Sequence, residues 1–439
     1  MILPKNKPIV IGAGLAGVEA AWQLAQRKIE VCLVEMKPQK FSPAHKSENF
    51  AELVCSNSLK ALRIGSAAGM LKEEMKRLGS LTVECALLSA VPAGGALAVD
   101  RDKFSELVTE KIKQNKYIEI IHGEVTEIPE NDIVIIAAGP LVSENLAKEI
   151  EKISGGFLSF FDAAAPIVSG DSIDMEKAFC QSRYDRGDET DYINCPMNKE
   201  EYELFYDELV KAERAELHTF EKKKNVYEGC MPIEIMASRG ADTMRFGPLK
   251  PVGLRDPRTG HRPWAVLQLR KENLPGSAYN LVGFQTNLKF GEQKRVFSLI
   301  PALNNAEFLR YGVMHRNTFI NSPKLLKSTY EMRNRDGLFF AGQITGVEGY
   351  MESASSGILA GINAANKILG NEEFVPSEKT MIGALARYIS NEEVENFQPM
   401  GANFGALPPL DEKIKDKKLR YELLAQRGLE EYQGKDLRK

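Results

Sequence analysis

The stretch Ile9-Val10-Ile11-Gly12-Ala13-Gly14-Leu15-Ala16-Gly17 decides the fold of this 439-residue chain. Its first three residues form a short apolar run that predicts a strand. The residues after the last glycine, Val18 to Gln26, have the apolar spacing of a helix. A second apolar run, Val31–Val34, ends in Glu35. The chain therefore opens with a βαβ unit that carries the G-x-G-x-x-G pattern between its first strand and its helix.

The glycine pattern, together with an acidic residue at the end of the second strand, predicts a dinucleotide-binding site. Gly12 permits a tight turn, Gly14 lets the backbone approach a pyrophosphate, and Gly17 allows close helix–strand packing. The helix N-terminus offers free N–H groups to the phosphates. Glu35 is suited to accept hydrogen bonds from ribose hydroxyls. The predicted cofactor-binding residues in this half are Gly12, Ala13, Gly14, Leu15, Ala16, Gly17 and Glu35.

A strand followed by a glycine turn and a helix is predicted again late in the chain. This second segment favours FAD over a nicotinamide nucleotide as the cofactor. Leu338 to Gly349 predicts a strand that runs into a glycine turn, and an apolar helix is expected from about Ser355 to Leu369. Flavoproteins of the glutathione-reductase type complete their FAD site with such a late segment. The residues expected to contact the cofactor there are Gly342, Gln343, Gly346 and Gly349. No second G-x-G-x-x-G is present.

Between these two parts, the sequence pattern changes to that of short strands and one charged helix. This helix is expected over Lys199 to Glu221. We therefore predict an α/β protein: a Rossmann-type, glutathione-reductase-like FAD-binding domain that is interrupted by a mixed α/β insertion domain. The expected boundaries are 1–153 and 337–439 for the two parts of the FAD domain and 154–336 for the insertion. Residues 36–66 read as loop.

Composition excludes several classes of protein. The six cysteines form no C-x-x-C pair, which excludes the usual zinc and iron–sulfur spacings. A disulfide framework is not expected in so long a chain. No apolar stretch has the length of a membrane span, and no export signal is recognisable. These features predict a cytoplasmic protein with reduced thiols.

The net charge of −3 gives no hint of nucleic acid, but the stretch from Arg245 to Lys271 holds seven Lys and Arg residues and only one acidic residue, Asp256.

Several longer strings carry more information than the glycine pattern. They are FAELVCSNS (Phe50–Ser58), VPAGGALAVDR (Val91–Arg101), FDAAAP (Phe161–Pro166), YINCPM (Tyr192–Met197), EGCMPIE (Glu228–Glu234), MHRNT (Met314–Thr318) and AGQITGVEGY (Ala341–Tyr350). Together they closely resemble the folate/FAD-dependent tRNA (uracil-5-)-methyltransferases, the TrmFO family, within the GidA/MnmG-related flavoproteins. The resemblance runs in order from about residue 8 to 370.

The resemblance implies a methyl transfer without S-adenosylmethionine. In that family 5,10-methylenetetrahydrofolate supplies the carbon, reduced FAD supplies the electrons, and NAD(P)H reduces the flavin. The product is 5-methyluridine in the T-loop of tRNA. No protein partner and no membrane partner are implied.

The chemistry explains why such an enzyme needs a thiol. Uracil C5 is a weak nucleophile, and addition of a thiolate to C6 places negative charge on C5. We expect Cys230, in the string Glu-Gly-Cys-Met-Pro, to be that nucleophile, and Cys55 to be a second functional cysteine. The division of roles between them stays open. The other cysteines are assigned structural roles: Cys32, Cys85, Cys180 and Cys195.

Further candidates concern the RNA. The residues expected to contact the tRNA backbone are Arg245, Lys250, Arg255, Arg270, His315 and Arg316. Trp264 is expected either to stack on a base or pterin or to be an ordinary core aromatic.

Two alternative functions remain from sequence: the same chemistry on a ribosomal RNA uridine, and a non-catalytic flavin-bearing RNA-binding or redox-sensing protein. The larger tRNA-modifying relative GidA/MnmG is disfavoured because it lacks the strings around Cys55 and Cys230.

Overall fold

The computed structural model describes residues 3–130, 132–185, 191–215 and 231–433. The strands are β1 (Ile9–Ile11), β2 (Val31–Glu35), β3 (Ser58–Ala61), β4 (Ala90–Val91), β5 (Ala96–Val99), β6 (Ile118–His122), β7 (Val134–Ile136), β8 (Leu158–Ala163), β9 (Ile167–Ser169), β10 (Phe179–Cys180), β11 (Tyr192–Met197), β12 (Ala265–Lys271), β13 (Ala278–Leu281), β14 (Phe308–Arg310), β15 (Met314–Phe319) and β16 (Leu338–Phe340). The helices are α1 (Leu15–Gln26), α2 (Ala67–Arg77), α3 (Leu81–Leu88), α4 (Arg101–Gln114), α5 (Glu144–Ser154), α6 (Lys199–Lys211), α7 (Ile233–Ala237), α8 (Thr243–Phe246), α9 (Phe290–Phe297), α10 (Ser322–Leu325), α11 (Tyr350–Leu369), α12 (Met381–Ser390) and α13 (Lys417–Glu430).

A five-stranded parallel sheet in the order β16-β7-β1-β2-β6 forms the centre of the first lobe. Ile9 of β1 pairs with Cys32 on one side and with Val134 on the other. Every residue of β1, β2 and β7 is buried, as expected for a parallel sheet covered on both faces. The last strand, β16, comes from the C-terminal part of the chain and pairs with β7. The predicted α/β fold class with a Rossmann-type parallel sheet is confirmed.

Two helices from opposite ends of the sequence pack tightly beside this sheet. A Cβ atom at Gly357 of α11 would lie 2.0 Å from the carbonyl oxygen of Ala16 in α1. One turn further along, a Cβ atom at Gly361 would lie 2.7 Å from the carbonyl oxygen of Ala20. Only glycine permits so close an approach of two helix backbones. The N-termini of α1 and α11 are therefore brought to the same edge of the sheet.

The second lobe contains a six-stranded sheet in the order β10-β11-β12-β13-β9-β14. Its pairings are antiparallel, and β11 and β12 pair over their full length. Its own hydrophobic core includes Phe205, Phe284 and Phe297, whose rings contact each other in sequence. A two-stranded ribbon of β8 and β15 lies where the chain enters and leaves this lobe.

The core of the first lobe extends into the segment that sequence assigned to the insertion. Phe319, Ile320, Leu326, Tyr330 and Met332 all belong to the same hydrophobic core as β1 and α1. We propose that the second part of the FAD domain begins near residue 319 rather than at 337. The division into an interrupted domain and an insertion otherwise stays as predicted.

Several expected element bounds were wrong. The segment 36–66 contains strand β3, which pairs with β5 and therefore depends on a distant partner. Helix α11 begins at Tyr350 rather than Ser355, directly after the glycine turn. Helix α6 ends at Lys211, where Ala212 takes an extended conformation. Of the helices described, none is long and apolar enough to cross a bilayer.

The α1–α11 contact yields a stability prediction. Gly357→Ala places a methyl group against the Ala16 carbonyl and should lower the free energy of unfolding by about 2–3 kcal/mol. Gly291→Ala is the matched control, because Gly291 also lies in a helix and no atom lies within 4 Å of its Cβ position. That control should be neutral or more stable by about 0.5–1 kcal/mol. Urea unfolding of the two variants provides the measurement, and equal stabilities would contradict the packing argument.

Candidate functional site

A cavity of about 400 Å³ lies at the carboxyl ends of β1, β2 and β7. Its wall includes Ile11, Glu35 and Ala137 from these strand ends. The N-terminal turns of α1 and α11 also line it. In open α/β sheets, ligands bind at this edge of the strands, and this volume is within the usual range for cofactor pockets.

The glycine turn between β1 and α1 forms one end of the cavity. Gly12 has a φ of +100°, and a Cβ atom there would lie 2.6 Å from the carbonyl oxygen of Ala137. A Cβ atom on Gly17 would lie 1.7 Å from the carbonyl oxygen of Gly12. Gly14 lines the cavity with no atom within 4 Å of its Cβ position. A phosphate therefore has room beside the first turn of α1, whose N–H groups have no acceptors within the helix.

Glu35 lines the cavity at the carboxyl end of β2. One carboxylate oxygen accepts the Ala13 N–H at 2.7 Å, and the other accepts the Lys37 N–H at 2.9 Å. A carboxylate has about four lone-pair sites, so acceptor capacity remains for two ribose hydroxyls. The group is buried and lines the cavity. This arrangement fits the predicted ribose contact.

The anchoring role of Lys37 in the loop that follows it was not predicted from sequence. The Lys37 ammonium donates to the carbonyl oxygens of Ser47 and Asn49 and lies 3.8 Å from the Glu52 carboxylate. Burial, opposed by the carboxylates of Glu35 and Glu52, lowers the pKa of Lys37. This ammonium holds the loop beside Glu35, where Lys37 and Glu52 also line the cavity.

The late glycine segment forms the opposite wall. Gly342, Gln343 and Gly349 line the cavity, and the Gly342 N–H donates to the Ser356 hydroxyl at 2.6 Å. Gly346 does not line it. The Gly346 N–H donates to the Gln343 carbonyl, and the Phe397 ring occupies the position of its missing side chain. With a φ of +82°, Gly346 shapes the turn, so its predicted cofactor contact does not fit its location.

Cys55 lies on the wall of the same cavity, close to the start of α11. Its N–H donates to the Tyr350 hydroxyl oxygen at 2.8 Å, and the Ser56 N–H donates to the same oxygen at 3.1 Å. Its thiol contacts the carbonyl oxygen of Ala163 at 3.7 Å. Burial raises the pKa of Tyr350, so its phenol is neutral. The structure therefore brings Cys55 and the two glycine segments into one site.

Cys230 lies outside the described residues, and the description of the chain resumes at the next residue, Met231. The Ile233 N–H donates to the carbonyl oxygen of Gln285 at 2.7 Å, and Gln285 lines the cavity. The buried Glu234 carboxylate accepts the Asn287 N–H at 2.8 Å and the Thr286 hydroxyl at 2.9 Å. Residues 233–234 are thus held against the segment that forms part of the cavity wall.

A second polar pair lines the cavity near α11. The Lys60 ammonium lies 2.6 Å from one oxygen of Glu352, which also accepts the Ala402 N–H at 3.0 Å. Glu352 is buried, whereas about half of the Lys60 side chain is exposed. Sequence suggested no role for Lys60, because the partner carboxylate is almost three hundred residues away in the chain.

The predicted RNA contacts occupy different environments. The Arg245 guanidinium lies 3.7 Å from the centre of the Trp264 ring and donates to the Trp264 carbonyl oxygen. Lys250 is half-buried and Arg255 is exposed. Arg270 is 6% exposed, so it does not fit the expected role of a surface phosphate contact. His315 and Arg316 lie on β15, but their side chains lie outside the described part of the structure.

The parallel sheet, the glycine turn at its carboxyl edge and the acceptor Glu35 define a Rossmann-type FAD-binding protein. The family described as Glucose inhibited division protein A (GidA) matches residues 7–372. The chain belongs to this family.

Curated relatives and solved structures agree with this membership. A protein of Acetivibrio thermocellus named methylenetetrahydrofolate–tRNA-(uracil-5-)-methyltransferase TrmFO is 61% identical over 96% of both chains. A protein of the same name from Enterococcus faecalis is 59% identical over 97% of both chains. The structure of Aquifex aeolicus GidA aligns with a TM-score of 0.69 and 16% identity, covering 100% of this chain and 75% of that one. This last likeness concerns the fold.

The role of Glu35 can be measured directly. Glu35→Gln keeps the shape but loses the charge and one acceptor oxygen. A hydrogen bond to a charged group contributes about 1.5–3 kcal/mol, so the Kd for FAD should rise about tenfold to a hundredfold. Quenching of flavin fluorescence on titration into the apoprotein measures this Kd. The matched control is Glu30→Gln, a largely exposed carboxylate that pairs with Lys7. An unchanged Kd in the Glu35 variant would rule out the ribose contact.

Proposed function

We propose that this chain is a methylenetetrahydrofolate–tRNA-(uracil-5-)-methyltransferase. It converts a T-loop uridine of tRNA to 5-methyluridine with 5,10-methylenetetrahydrofolate as the carbon donor. The observation that carries this proposal is that Cys55 lies on the wall of the dinucleotide cavity, against the start of α11. Relatives that bear this enzyme name at 61% and 59% identity support it.

The residues present fit an FAD molecule. Gly12, Gly14 and the first turn of α1 would hold its pyrophosphate, Glu35 its ribose, and Gly342, Gln343 and Gly349 its flavin half. When bound and reduced by NAD(P)H, the flavin supplies the electron pair that turns the transferred carbon unit into a methyl group. A cofactor held inside a largely apolar cavity is also shielded from water.

The thiols perform the chemistry on the pyrimidine. Cys230 adds to uracil C6, so that the electron pair of the C5–C6 double bond moves towards C5 and makes it nucleophilic. C5 forms a bond to the methylene carbon of the folate, and loss of the C5 proton with cleavage of the carbon–nitrogen bond releases tetrahydrofolate. Expulsion of the thiolate then restores the C5–C6 double bond of the base. Cys55 is the second functional cysteine of this sequence of steps. Support for Cys230 comes from the bond between Ile233 and Gln285, which ties the chain after this cysteine to the cavity wall.

The tRNA backbone contacts the basic surface of the insertion. Arg255, Lys250 and Arg245 are the phosphate contacts among the predicted residues, together with His315 and Arg316 of β15. Arg245 also covers a face of Trp264, so this indole is not free to stack on a base on that face. Because tRNA modification takes place where tRNA is made and used, we place the protein in the cytoplasm.

The experiment that tests this function maps methylated nucleosides by mass spectrometry. Unmodified tRNA and ribosomal RNA transcripts are incubated separately with the holoenzyme, methylenetetrahydrofolate and NADPH. We expect 5-methyluridine in tRNA, dependent on the folate. Methylation of ribosomal RNA alone, or methyl transfer from S-adenosylmethionine by a colourless protein, would replace this proposal.

Cysteine variants in the same assay test the assigned thiols. Cys230→Ala and Cys55→Ala should each lower the rate at least about 10³-fold, because removal of a group that makes or assists a covalent intermediate costs this much or more. Cys180→Ala is the matched control, since Cys180 is exposed on β10 and does not line the cavity. It should retain full activity. A Cys230→Ala enzyme with wild-type activity would contradict the choice of nucleophile.

A further inference from the structure

Three arginine side chains from three different elements converge on residues 53–57, which we call the Cys55 loop. Arg101 begins α4 in the first lobe, whereas Arg270 of β12 and Arg310 of β14 belong to the second lobe. None of the three was connected with Cys55 by sequence reasoning. All three are substantially buried, and Arg270 is only 6% exposed.

Arg101 contacts the loop on two sides of Cys55. It donates to the Leu53 carbonyl oxygen at 2.8 Å and to the Cys55 carbonyl oxygen at 3.4 Å. Its remaining donors form a two-point ion pair with Glu272, at 2.5 and 3.2 Å. Burial acts to lower the pKa of the Arg101 guanidinium, but Glu272 together with Tyr350 and Cys55 raises it above its ordinary value.

The other two guanidinium groups complete the arrangement. Arg310 donates to the Val54 carbonyl oxygen at 2.6 Å. Arg270 donates to the Ser56 hydroxyl and to the Asn57 side-chain oxygen, both at 2.9 Å. Residues 53–57 therefore each accept a hydrogen bond from one of these arginines, through the backbone or the side chain.

The charge balance around Cys55 is positive among the groups that the structure describes. Glu272 balances one of the three guanidinium groups, and Glu352 on α11 is paired with Lys60. Glu348 also lines the cavity, where it accepts a hydrogen bond from Gln343, and Tyr350 is neutral. All three guanidinium groups donate a hydrogen bond to Cys55 itself or to a residue within two positions of it, and the sulfur contacts the Ala163 carbonyl oxygen. In a buried setting such interactions are screened much less than in water.

We propose that Arg101, Arg270 and Arg310 hold Cys55 as a thiolate at neutral pH. They are positioning residues, because they act on the cysteine rather than on a substrate. The proton of the thiol passes to water, and the thiolate faces the cavity. Only the use of this thiolate in catalysis rests on the proposed function; its existence does not. Reactive cysteines in proteins owe their ionisation to surroundings of this kind.

The test is the pH dependence of alkylation of Cys55 in the FAD-bound full chain. Iodoacetamide reacts with the thiolate, and peptide mass mapping separates Cys55 from the other cysteines. In the wild-type protein the rate should be half-maximal at least about one pH unit below the value of about 8.5 for an ordinary cysteine. Arg310→Gln should move this midpoint upward by about one unit, and Arg310→Lys should restore most of the difference because it keeps the charge.

Tyr350→Phe is the matched control. It removes the acceptor of the Cys55 and Ser56 N–H groups and so loosens the loop without changing its charge. The midpoint of its pH profile should stay near that of the wild type. A wild-type midpoint near or above 8.5 overturns the proposal. So does an equal shift in Tyr350→Phe and Arg310→Gln, because the arginines would then be structural supports only. These outcomes are independent of whether any RNA is methylated.

Discussion

The contact between α1 and α11 is the constraint on which the site depends. These helices are more than three hundred residues apart in sequence, yet the backbone of Gly357 lies directly on the Ala16 carbonyl. This contact brings the phosphate end of the cavity, made by the first glycine turn, next to the wall made by Gly342 and Gly349. A side chain at Gly357 would separate the two halves of one binding site. Packing of two small-residue faces is thus the physical basis of the cofactor pocket.

The second lobe meets the first through polar rather than apolar contacts at the Cys55 loop. Arg101 pairs with Glu272 across the boundary, and Asn57 donates to the Lys271 carbonyl oxygen. Buried polar groups of this kind cost free energy unless each is satisfied, so they fix the geometry more strictly than an apolar surface does. The cavity therefore has one wall set by close helix packing and another set by a hydrogen-bonded network. Cys55 lies where these two meet.

Sequence reasoning predicted the local features of the fold and missed those that depend on distant partners. The β1–α1–β2 unit, Glu35 and the late glycine turn were predictable because each is written in consecutive residues with a known steric meaning. Strand β3, the anchoring role of Lys37 and the Lys60–Glu352 pair were not, because their partners lie far away in the chain. Arg270 shows the same limit: a basic stretch predicts a surface, yet this residue faces the Cys55 loop. Gly346 was recognised as a special residue, and the structure places it in the turn beside Phe397 rather than among the residues that line the cavity.

The ribbon formed by β8 and β15 has a consequence for the history of this architecture. The strand that leaves the first lobe and the strand that returns to it run side by side, with Leu158 opposite Phe319 and Ala163 opposite Met314. The chain therefore leaves the first lobe and returns to it at neighbouring positions, joined by the β8–β15 pairing. Lobes of different size and specificity can be exchanged on such a ribbon without rerouting the parent fold.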